Sequence, residues 1–574
     1  MSGAGLATVG TAAILAVGCG DDDDDEPGPA GTVSPTSQAT SQATSQATTG
    51  AVPRRGGVAN LSVASFPAII DPHQNVTAAG ADFADNVYSK LFQTKGLPLG
   101  PDYPSLEIVP DVAEGYEVTD DGLTYTMKLR RNVKWQPPVS RPLIASDVLY
   151  NWNKINGKVE GFGVALQAAQ FHMVDSLTAP DDYTLVWKLK APNALFLPAL
   201  ADNYTFMLQP PEIDPTKEVV GSGAWIMAEM KPGVGWTLKR NPEWHFGPDR
   251  PYLDELRYSV IQDTATALNQ FKGGNLSRTP GGTAIKEISS IRSAVKDAQI
   301  IQVPESTANY FIGFSGSDGN PLWKDPRIRQ ALTRALDRDS LWNAVVAPRD
   351  VEAAGLPPQE IWYQNVIPHA LGKYWIDPTG DKASAQVRDN VKYDPKAAMQ
   401  LIEAAGHGKI ETQLTYTKTL SPAAAPIYEL AVAMLNQAGW NIKLDPVDAQ
   451  VYSSQVFGKA EWTGLCENLN SFGMAEQWLV ALYIDGPFQN WARVDDDVLN
   501  KGIAKMLATL DGEDRLKQIH ELQNHGFEQL YYVPVQYPSG PSYSIWQAGF
   551  HDVDKYMTPR SGQGFWNSHW WYEG

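Results

Sequence analysis

The chain is poor in cysteine and in basic residues. Its 574 residues include two cysteines, Cys19 and Cys466, which are too few for a disulfide framework in a protein of this size. Lys and Arg number 46 against 65 Asp and Glu, and the formal net charge is −19. Because nucleic-acid binding relies on clustered Lys and Arg, this balance argues against a nucleic-acid partner. The 43% of hydrophobic residues is enough to build the cores of several domains.

Recognisable catalytic motifs are also missing. His520 and His525, with Glu521 between them, look at first like a zinc-protease helix, but that motif places its histidines four residues apart. A spacing of five turns the two side chains about 140° apart around the helix, so they cannot share one metal ion. There is no Gly-x-Ser-x-Gly elbow, and the residues around Cys466 match no protease signature. We therefore expect no enzyme, no metal site and no cofactor.

The N-terminal segment has features of an exported lipoprotein. Residues 6–18 are mostly apolar, but they are fewer than the roughly twenty residues of a membrane span. Residues 15–19 read Leu-Ala-Val-Gly-Cys and resemble a bacterial lipobox, although Ala16 stands where leucine is usual and no Lys or Arg precedes the apolar run. We expect residues 1–19 to be a lipoprotein signal peptide with lipidation at Cys19. The alternative is a buried N-terminal helix with an incidental thiol.

A polar low-complexity segment follows. Residues 21–26 are acidic without interruption, and residues 37–48 contain three copies of Ser-Gln-Ala-Thr. Because this composition offers little apolar surface to bury, we expect a disordered linker over residues 20–56. On a lipid-anchored protein such a linker would let the folded body move away from the membrane surface. The alternative is a solubilising leader without a specific task.

A strand, a loop and a helix are predicted in residues 110–155. The alternating apolar residues of the strand are Leu123, Tyr125, Met127 and Leu129. Their period of two is typical of a strand with one buried face. Val148, Trp152 and Ile155 fall on one stripe of a helix. An Asp-Asp turn precedes this strand. A second Asp-Asp turn precedes a second alternating strand in residues 179–189, and we expect the two strands to pair within a small domain.

The same stretch carries a family resemblance. Residues 114–148 contain Asp-Asp-Gly-Leu-Thr-Tyr-Thr, then Val-Lys-Trp, and later Pro-Leu before the helix. This run resembles the signature of extracytoplasmic solute-binding family 5, the solute-binding proteins of peptide-type ABC importers. Further similar segments are 221–225, 238–241, 251–254, 325–332, 335–338 and 533–537. The resemblance covers roughly residues 57–552. One departure is Ile144, where the family usually has an N-capping threonine, and we expect Ser146 to take over the cap.

The resemblance implies an α/β fold of the periplasmic binding protein-like type II class, with two lobes, a hinge and a third, inserted domain. We expect domain I to comprise residues 57–92, 191–305 and 531–574. Domain II is expected at 93–190 and domain III at 306–530.

Local patterns predict further elements of this fold. A strand is expected at 58–63, and a helix at 82–92. Asp325, Asp394 and Asp511 each precede a helical pattern and are expected to be N-caps.

The resemblance also indicates a binding site. In peptide-binding members an aspartate in a Gly-Trp-Cys-Ala-Asp-Tyr-Asn-like loop pairs with the peptide α-ammonium; residues 464–470 resemble this loop, but Asn468 replaces the aspartate and Leu465 the tryptophan. A neutral amide loses the charge-assisted part of that hydrogen bond, and Glu467 is a candidate substitute. The expected cleft residues are Phe66, Asn75, Phe162, Trp225, Tyr310, Trp462, Cys466, Glu467, Asn468 and Tyr537. Plain packing is the alternative for each of them.

The function implied by the resemblance is capture of a small solute and its delivery to ABC permease and ATPase subunits. Two lobes would close over the solute, and capture would depend on different affinities of the open and closed states for it. We expect a monomer outside the cytoplasm, held by the lipid on Cys19 at the outer face of the cytoplasmic membrane. An oligopeptide, an oligosaccharide, a nickel chelate and other polar solutes stay open as cargo. A surface lipoprotein for sensing or adhesion, without transport, is the alternative from another functional class.

Overall fold

A computed structural model describes residues 52–74, 78–97, 107–165, 167–202, 205–281, 283–303, 308–357, 362–417, 425–448, 451–457, 459–484, 490–535, 542–555 and 566–574. All of them belong to one structural unit, Thr48–Gly574. Within the described residues, no helix combines the length and the apolar character needed to cross a bilayer.

The helices are interspersed with strands along the chain. They are α1 (Ala78–Val87), α2 (Ala145–Ile155), α3 (Phe196–Ala201), α4 (Thr264–Lys272), α5 (Ile288–Ala294), α6 (Pro326–Arg334), α7 (Arg338–Val346), α8 (Pro348–Ala353), α9 (Ala385–Asn390), α10 (Pro395–Ala404), α11 (Ala425–Gln437), α12 (Ala475–Tyr483), α13 (Asp497–Ala508) and α14 (Gly512–Gln529).

The strands fall into several sheets. They are β1 (Val58–Val63), β2 (Phe92–Thr94), β3 (Ile108–Pro110), β4 (Ala113–Val118), β5 (Thr124–Leu129), β6 (Val174–Asp181), β7 (Thr184–Leu189), β8 (Trp225–Lys231), β9 (Gly235–Arg240), β10 (Glu255–Val260), β11 (Gln299–Val303), β12 (Ala308–Phe314), β13 (Ile410–Thr417), β14 (Trp440–Val447), β15 (Leu465–Ser471), β16 (Tyr532–Pro534), β17 (Ser542–Trp546), β18 (Phe550–His551) and β19 (Trp571–Tyr572).

The strand and the helix predicted from alternation and from helical spacing are both present, as β5 and α2. β5 pairs antiparallel with β7 in a sheet of order β4-β5-β7-β6, so the predicted pairing of the two strands that follow Asp-Asp turns is confirmed. Tyr125 and Met127 from β5 share one hydrophobic cluster with Val148 and Trp152 from α2. The buried face of the strand and the buried stripe of the helix therefore form one core.

The N-terminus of α2 is capped by Asp147 and not by Ser146. Asp147 Oδ2 accepts the backbone N–H of Ile144 at 3.1 Å. Arg141 holds the same carboxylate with two N–H donors at 2.7 and 2.8 Å, and Trp135 Nε1 donates to it at 3.0 Å. The expectation for Ser146 was wrong because an acidic side chain at the third helical position reaches back to the N-cap backbone.

A four-stranded sheet of order β1-β10-β9-β8 contains the strand predicted at 58–63. β1 runs parallel to β10, and β9 runs antiparallel to both of its neighbours. Ala59 of β1 and Trp236 of β9 belong to the hydrophobic cluster of this sheet, which also includes Trp546. Residues far apart in the chain therefore share the core of this sheet.

The helix predicted over 82–92 ends earlier, at Val87, and Phe92 begins β2. The carbonyl of Val87 accepts the N–H of Gly223 at 2.8 Å. A Cβ at Gly221 would lie 2.1 Å from the same carbonyl oxygen, so this close approach requires glycine. The helix ends where the carbonyl of its last residue accepts a hydrogen bond from a turn that is distant in the chain. A local sequence pattern does not reveal such a contact.

A five-stranded sheet has the order β14-β13-β15-β12-β16. β13 runs parallel to β14 and β15, whereas β12 runs antiparallel to β15 and β16. The predicted N-caps are confirmed, because the side chains of Asp325, Asp394 and Asp511 accept N–H groups of the first turns of α6, α10 and α14. Outside this sheet, β11 pairs antiparallel with β17 close to the points where the chain enters β12 and leaves β16.

Candidate ligand-binding site

The β12–β15 pair brings five of the predicted site residues together. They are Tyr310 on β12, Trp462 before β15, and Cys466, Glu467 and Asn468 on β15. The register sets Asn468 opposite Phe311, one position from Tyr310. All five predicted residues are more than nine-tenths buried. This part of the site is therefore held by packing within the five-stranded sheet.

Glu467 and Asn468 face opposite sides of that sheet, because successive side chains of a strand alternate. Glu467 Oε2 accepts the backbone N–H of Thr417 at 2.9 Å. Asn468 Oδ1 instead accepts a hydrogen bond from Asn470 Nδ2 at 2.6 Å, on its own face of the strand. A carboxylate at position 467 therefore does not occupy the place of a carboxylate at position 468, and the face of Asn468 presents neutral amides.

The Glu467 carboxyl group lies in an apolar environment. Burial raises its pKa to about 7, and the N–H of Thr417 partly opposes this shift. Its second oxygen, Oε1, has no hydrogen-bond partner among the described residues. Burial, with the Glu467 charge adding to it, also raises the pKa of Tyr428 well above its ordinary range. Glu467 therefore titrates close to neutral pH.

The thiol of Cys466 is a packing group. Its side chain is fully buried in a cluster with Tyr452, Trp462 and Trp491, and its Sγ donates to the carbonyl of Glu467 at 3.0 Å. Burial raises the pKa of the thiol well above its ordinary value. A buried, protonated thiol is a poor nucleophile.

A cavity of about 570 Å³ opens at the end of the β12–β15 pair. Its walls are Gly316, Ser317, Asp318, Gln455, Glu461, Trp462, Thr463 and Arg493. Residues 316–318 follow β12, and residues 461–463 precede β15. The volume falls in the range of about 300–1,000 Å³ that is typical of small-molecule sites. Trp462 is the predicted site residue that lines this cavity.

Sequence reasoning missed the other walls of the cavity. Arg493 lies in no motif, and it reaches the cavity because the backbone of residues 492–493 packs directly against Gly316. A Cβ at Gly316 would lie 2.4 Å from the carbonyl oxygen of Ala492. The glycine that follows a buried strand was the available signal, since glycine there permits a close backbone approach.

Phe162 lies against a buried ionic network. The Lys154 Nζ is 4.7 Å from the centroid of its ring. The same ammonium donates to both oxygens of Asp71, at 2.7 and 2.9 Å, and to Gln209 Oε1 at 2.8 Å. The side chains of Lys154 and Asp71 are 2% and 1% exposed. This network ties α2 to the loop that follows β1.

His73 completes the network as a neutral imidazole. Its pKa is lowered to about 3, by burial first and then by the positive charge of Lys154. Its Nε2 donates to the carbonyl of Met207 at 2.8 Å, which leaves Nδ1 facing Lys154 Nζ at 3.3 Å. Burial lowers the pKa of Lys154. Burial alone would raise the pKa of Asp71, but the charge of Lys154 and the hydrogen bonds from Lys154 and Gln209 together lower it.

Phe66 and Trp225 lie in the core of the β1-β10-β9-β8 sheet. Phe66 packs edge-on against Trp236 with ring centroids 6.0 Å apart. Trp225 is fully buried, and its Nε1 donates to Asn567 Oδ1 at 2.7 Å. The contacts of both residues are core contacts, and the structure does not place them on the β12–β15 pair.

Three of the predicted positions, Asn75, Tyr537 and Cys19, lie outside the described residues. In the part of the chain that is described, no group of three or more His, Cys, Asp or Glu side chains is placed to hold a metal ion. His520 Nε2 contacts the carbonyl of Lys373 at 2.9 Å. His525 Nε2 contacts Asp496 Oδ2, also at 2.9 Å. The two histidines thus have separate structural partners.

Comparison with known proteins decides the family. The family model described as bacterial extracellular solute-binding proteins, family 5 Middle, matches residues 107–488. The chain belongs to this family. A putative ABC transporter peptide-binding protein from Brucella ovis is 28% identical over 371 residues, which cover 61% of this chain and 62% of the relative. The aligned part is therefore less than two thirds of that relative's length.

Solved structures of other binding proteins show the same fold. The oligopeptide-binding protein AppA from Bacillus subtilis, in complex with a nonapeptide, matches with a TM-score of 0.70 at 19% identity, over 91% of this chain and 100% of that chain. AgaA, a binding protein from A. tumefaciens in complex with agropinic acid, matches with a TM-score of 0.68 at 19% identity, over 90% and 99% of the two chains. The predicted α/β fold of the type II periplasmic binding class is confirmed.

Proposed function

We propose that this protein captures a small solute outside the cytoplasm and delivers it to the permease and ATPase subunits of an ABC importer. Membership of the extracellular solute-binding family, over residues 107–488, carries this proposal. The cavity beside Trp462 supports it, because it offers a place of suitable size for a small ligand. Capture requires different affinities of the open and closed forms and no catalytic group.

The cargo that we propose is an oligopeptide or a solute of similar polarity. The Brucella relative carries the name of a peptide-binding protein, and AppA is described in complex with a nonapeptide. The second candidate is a neutral polar solute such as an oligosaccharide. It is favoured by the amides of Asn468 and Asn470, which offer hydrogen bonds without charge while the carboxyl of Glu467 points to the other face.

We propose the three-domain organisation with the boundaries given above, and the β11–β17 pair as the region of the hinge. Separate hydrophobic clusters support the division into three bodies, and in them Phe196 and Leu208 pack with the residues of domain II while Val533 and Val535 pack with those of domain III. One cluster lies within residues 91–208, a second draws on 59–88, 207–258 and 546–570, and a third lies within 310–535. A hinge between the domains built on the second and third clusters would let them close over a solute.

We further propose that the protein is a monomer anchored through Cys19 to the outer face of the cytoplasmic membrane. The lipobox-like residues 15–19 and the acidic segment after them support this anchor. Replacement of Cys19 by Ser should move the protein from the membrane fraction to the soluble extracytoplasmic fraction. An unchanged distribution would contradict the anchor.

Native mass spectrometry of the protein purified from its own host tests the cargo. We expect a non-covalent adduct with the mass of a short peptide, which is lost when the protein unfolds. A sugar mass would instead support the second candidate. Transport is tested separately, by uptake of the identified solute in cells that lack the gene. Normal uptake in those cells would contradict the importer role and favour sensing or adhesion.

A further inference from the structure

Residues 122 and 192–194 meet residues 507–510 at a junction between two hydrophobic bodies. The backbone N–H of Ala194 donates to the carbonyl of Leu507 at 2.8 Å. Gly122 is buried there, and a Cβ on it would lie 2.8 Å from Leu510 Cδ1 and 3.3 Å from Pro192 Cβ. Residues 122 and 192–194 adjoin the cluster within 91–208, whereas residues 507–510 adjoin the cluster within 310–535. The junction therefore joins domain II to domain III.

The side of the junction that belongs to domain III is held in shape by its own hydrogen bonds. Arg515 donates to the carbonyls of Thr509 and Leu510 at 2.9 and 3.0 Å. The Nε of the same guanidinium donates to the buried Glu476 at 2.8 Å. Asp511, the next residue, is the N-cap of α14. These bonds fix the loop that presents Leu510, and none of them depends on domain II.

The side that belongs to domain II is a closed turn. The carboxylate of Asp121 accepts the N–H of Leu123 at 3.0 Å and the hydroxyl of Thr119 at 2.6 Å. The N–H of Gly122 donates to the carbonyl of Thr119 at 2.8 Å. Both surfaces of the junction thus have internal bonds that hold their shape, so they can separate and meet again without refolding.

Domain II is fastened to domain I by buried polar contacts. The side chains of Lys154 on α2 and Asp71 after β1 form an ion pair and are 2% and 1% exposed. Gln136 Nε2 donates to the carbonyl of Trp225, on β8, at 2.8 Å. Separating such a buried ion pair is costly, so domains I and II move as one body. A rotation of domain III about the β11–β17 region then has to change the junction with domain II.

The junction is weak enough to break. Leu510 remains 40% exposed, so it buries only part of its apolar surface. Exposed carboxylates flank the contact on both sides, Asp120 and Asp121 beside Gly122, and Asp511 beside Leu510. Like charges that face each other across an interface oppose its formation. An apolar centre with a repelling rim is suited to a reversible contact.

We propose that this junction is a latch, which forms when domain III closes towards domains I and II and breaks when it opens. The latch stabilises the closed form through residues that are not part of the solute site. This inference rests on the closure of the lobes that belongs to the proposed function. A ligand or a contact shifts such an equilibrium only through its different free energies in the two states, and the latch supplies such a difference.

Single-molecule fluorescence energy transfer in the full chain tests the latch. The labels are placed on Lys158→Cys in domain II and Lys396→Cys in domain III, both at exposed positions. Cys19→Ser removes the N-terminal thiol, and the buried Cys466 does not react with the dyes. We expect two populations, closed and open, that interconvert.

The informative variant is Leu510→Asp, because it removes the apolar contact and adds a charge between acidic flanks. We expect the ratio of closed to open molecules to fall roughly threefold to tenfold, which corresponds to the net contribution of about one hydrogen bond. Leu510→Ala adds no charge and should shift the ratio in the same direction by a smaller factor. Leu444→Asp is the matched control, since Leu444 on β14 is 39% exposed and lies outside the junction. It should leave the ratio unchanged.

Hydrogen exchange of the unlabelled chain, read by mass spectrometry, follows the bond itself. Peptides that contain Ala194 should exchange faster in Leu510→Asp by the same factor as the change in the closed population, while amides within β5 keep their protection. Faster exchange at Ala194 with an unchanged ratio of populations would show local fraying and overturn the latch. A single population in wild type and Leu510→Asp would show a static junction and also overturn it.

These outcomes are distinct from those for the proposed function. If native mass spectrometry finds a bound solute but the labelled chain shows one population, solute capture stands and the latch is overturned. If Leu510→Asp shifts two populations as expected but no solute mass is found, the latch stands and solute capture is contradicted.

Discussion

The backbone N–H of Ala194 donates a 2.8 Å hydrogen bond to the carbonyl of Leu507. This bond joins the segment after β7 to the C-terminal end of α13, which belong to different hydrophobic clusters. Leu510 lies near the same junction, beside Gly122. A Cβ at Gly122 would lie 2.8 Å from Leu510 Cδ1 and 3.3 Å from Pro192 Cβ. The Asp-Asp-Gly turn therefore has a tertiary neighbour as well as a local turn function.

Gly122→Ala should destabilise the protein for two reasons. Gly122 has a φ of +69°, and an L-residue in the left-handed region costs about 1–2 kcal/mol. The new methyl group would also lie 2.8 Å from Leu510 Cδ1, so the partly exposed Leu510 side chain has to turn away. We expect the double variant Gly122→Ala/Leu510→Ala to recover the stability lost through the contact with Leu510 but not the stability lost through the backbone conformation. Urea unfolding of the wild type, both single variants and the double variant forms the double-mutant cycle that measures this. Strictly additive effects would contradict this contact.

The buried pair of Lys154 and Asp71 should be sensitive to removal of one partner. Lys154→Met leaves an uncompensated buried carboxylate, which typically costs about 3–5 kcal/mol of unfolding free energy. Adding Asp71→Asn should restore part of the loss, because the remaining group is then neutral. The exposed ion pair of Lys501 and Asp497 offers a control, and Lys501→Met should change stability little. Equal losses in Lys154→Met and Lys501→Met would contradict the burial of this pair.

His73 should make the protein less stable in acid. Its pKa is lowered to about 3 in the folded protein, by burial first, against an ordinary value of 6.5. The unfolded chain therefore binds a proton that the folded protein refuses, and stability falls as pH drops from 6.5 towards 3. The limit is several kcal/mol, at about 1.4 kcal/mol per pKa unit. In urea unfolding at pH 4 and pH 7, His73→Gln should flatten this dependence, whereas His172→Gln, at an exposed histidine, should leave it unchanged.

Local patterns in the sequence predicted local structure well. The alternation in β5, the stripe on α2 and the aspartate N-caps of α6, α10 and α14 are decided by neighbours within a few residues. The family resemblance supplied the fold, and the family match confirms it. The end of α1 could not be predicted in this way, because it depends on a hydrogen bond from Gly223, which is distant in the chain.

The candidate site was predictable only in part, for the same physical reason. Trp462, Glu467 and Asn468 share one strand region and were found together. Arg493 was not found, because it reaches the cavity through the packing of its loop against Gly316. Residue type was also a poor guide to exposure, since Trp225 is as suited to a core as to a ligand contact and lies in the core.

Glu467 should make the protein less stable in base, which is the opposite sign to His73. Burial raises the pKa of its carboxyl group from 4.5 to about 7. The folded protein therefore holds a proton that the unfolded chain has released, and stability falls as pH rises from 4.5 through 7. The full effect is on the order of 3 kcal/mol at about 1.4 kcal/mol per unit.

Glu467→Gln removes this titration while keeping the size of the side chain. We expect the variant to be more stable than the wild type at pH 8 and close to it at pH 4, in urea unfolding at both values. Glu461→Gln is the control, because Glu461 is exposed and lies six residues earlier in the chain, and its pH dependence should match that of the wild type. Parallel pH dependences of Glu467→Gln and the wild type would show that Glu467 stays ionised in the folded protein, and they would place it in contact with water or with a cation instead of in the apolar environment beside Tyr428.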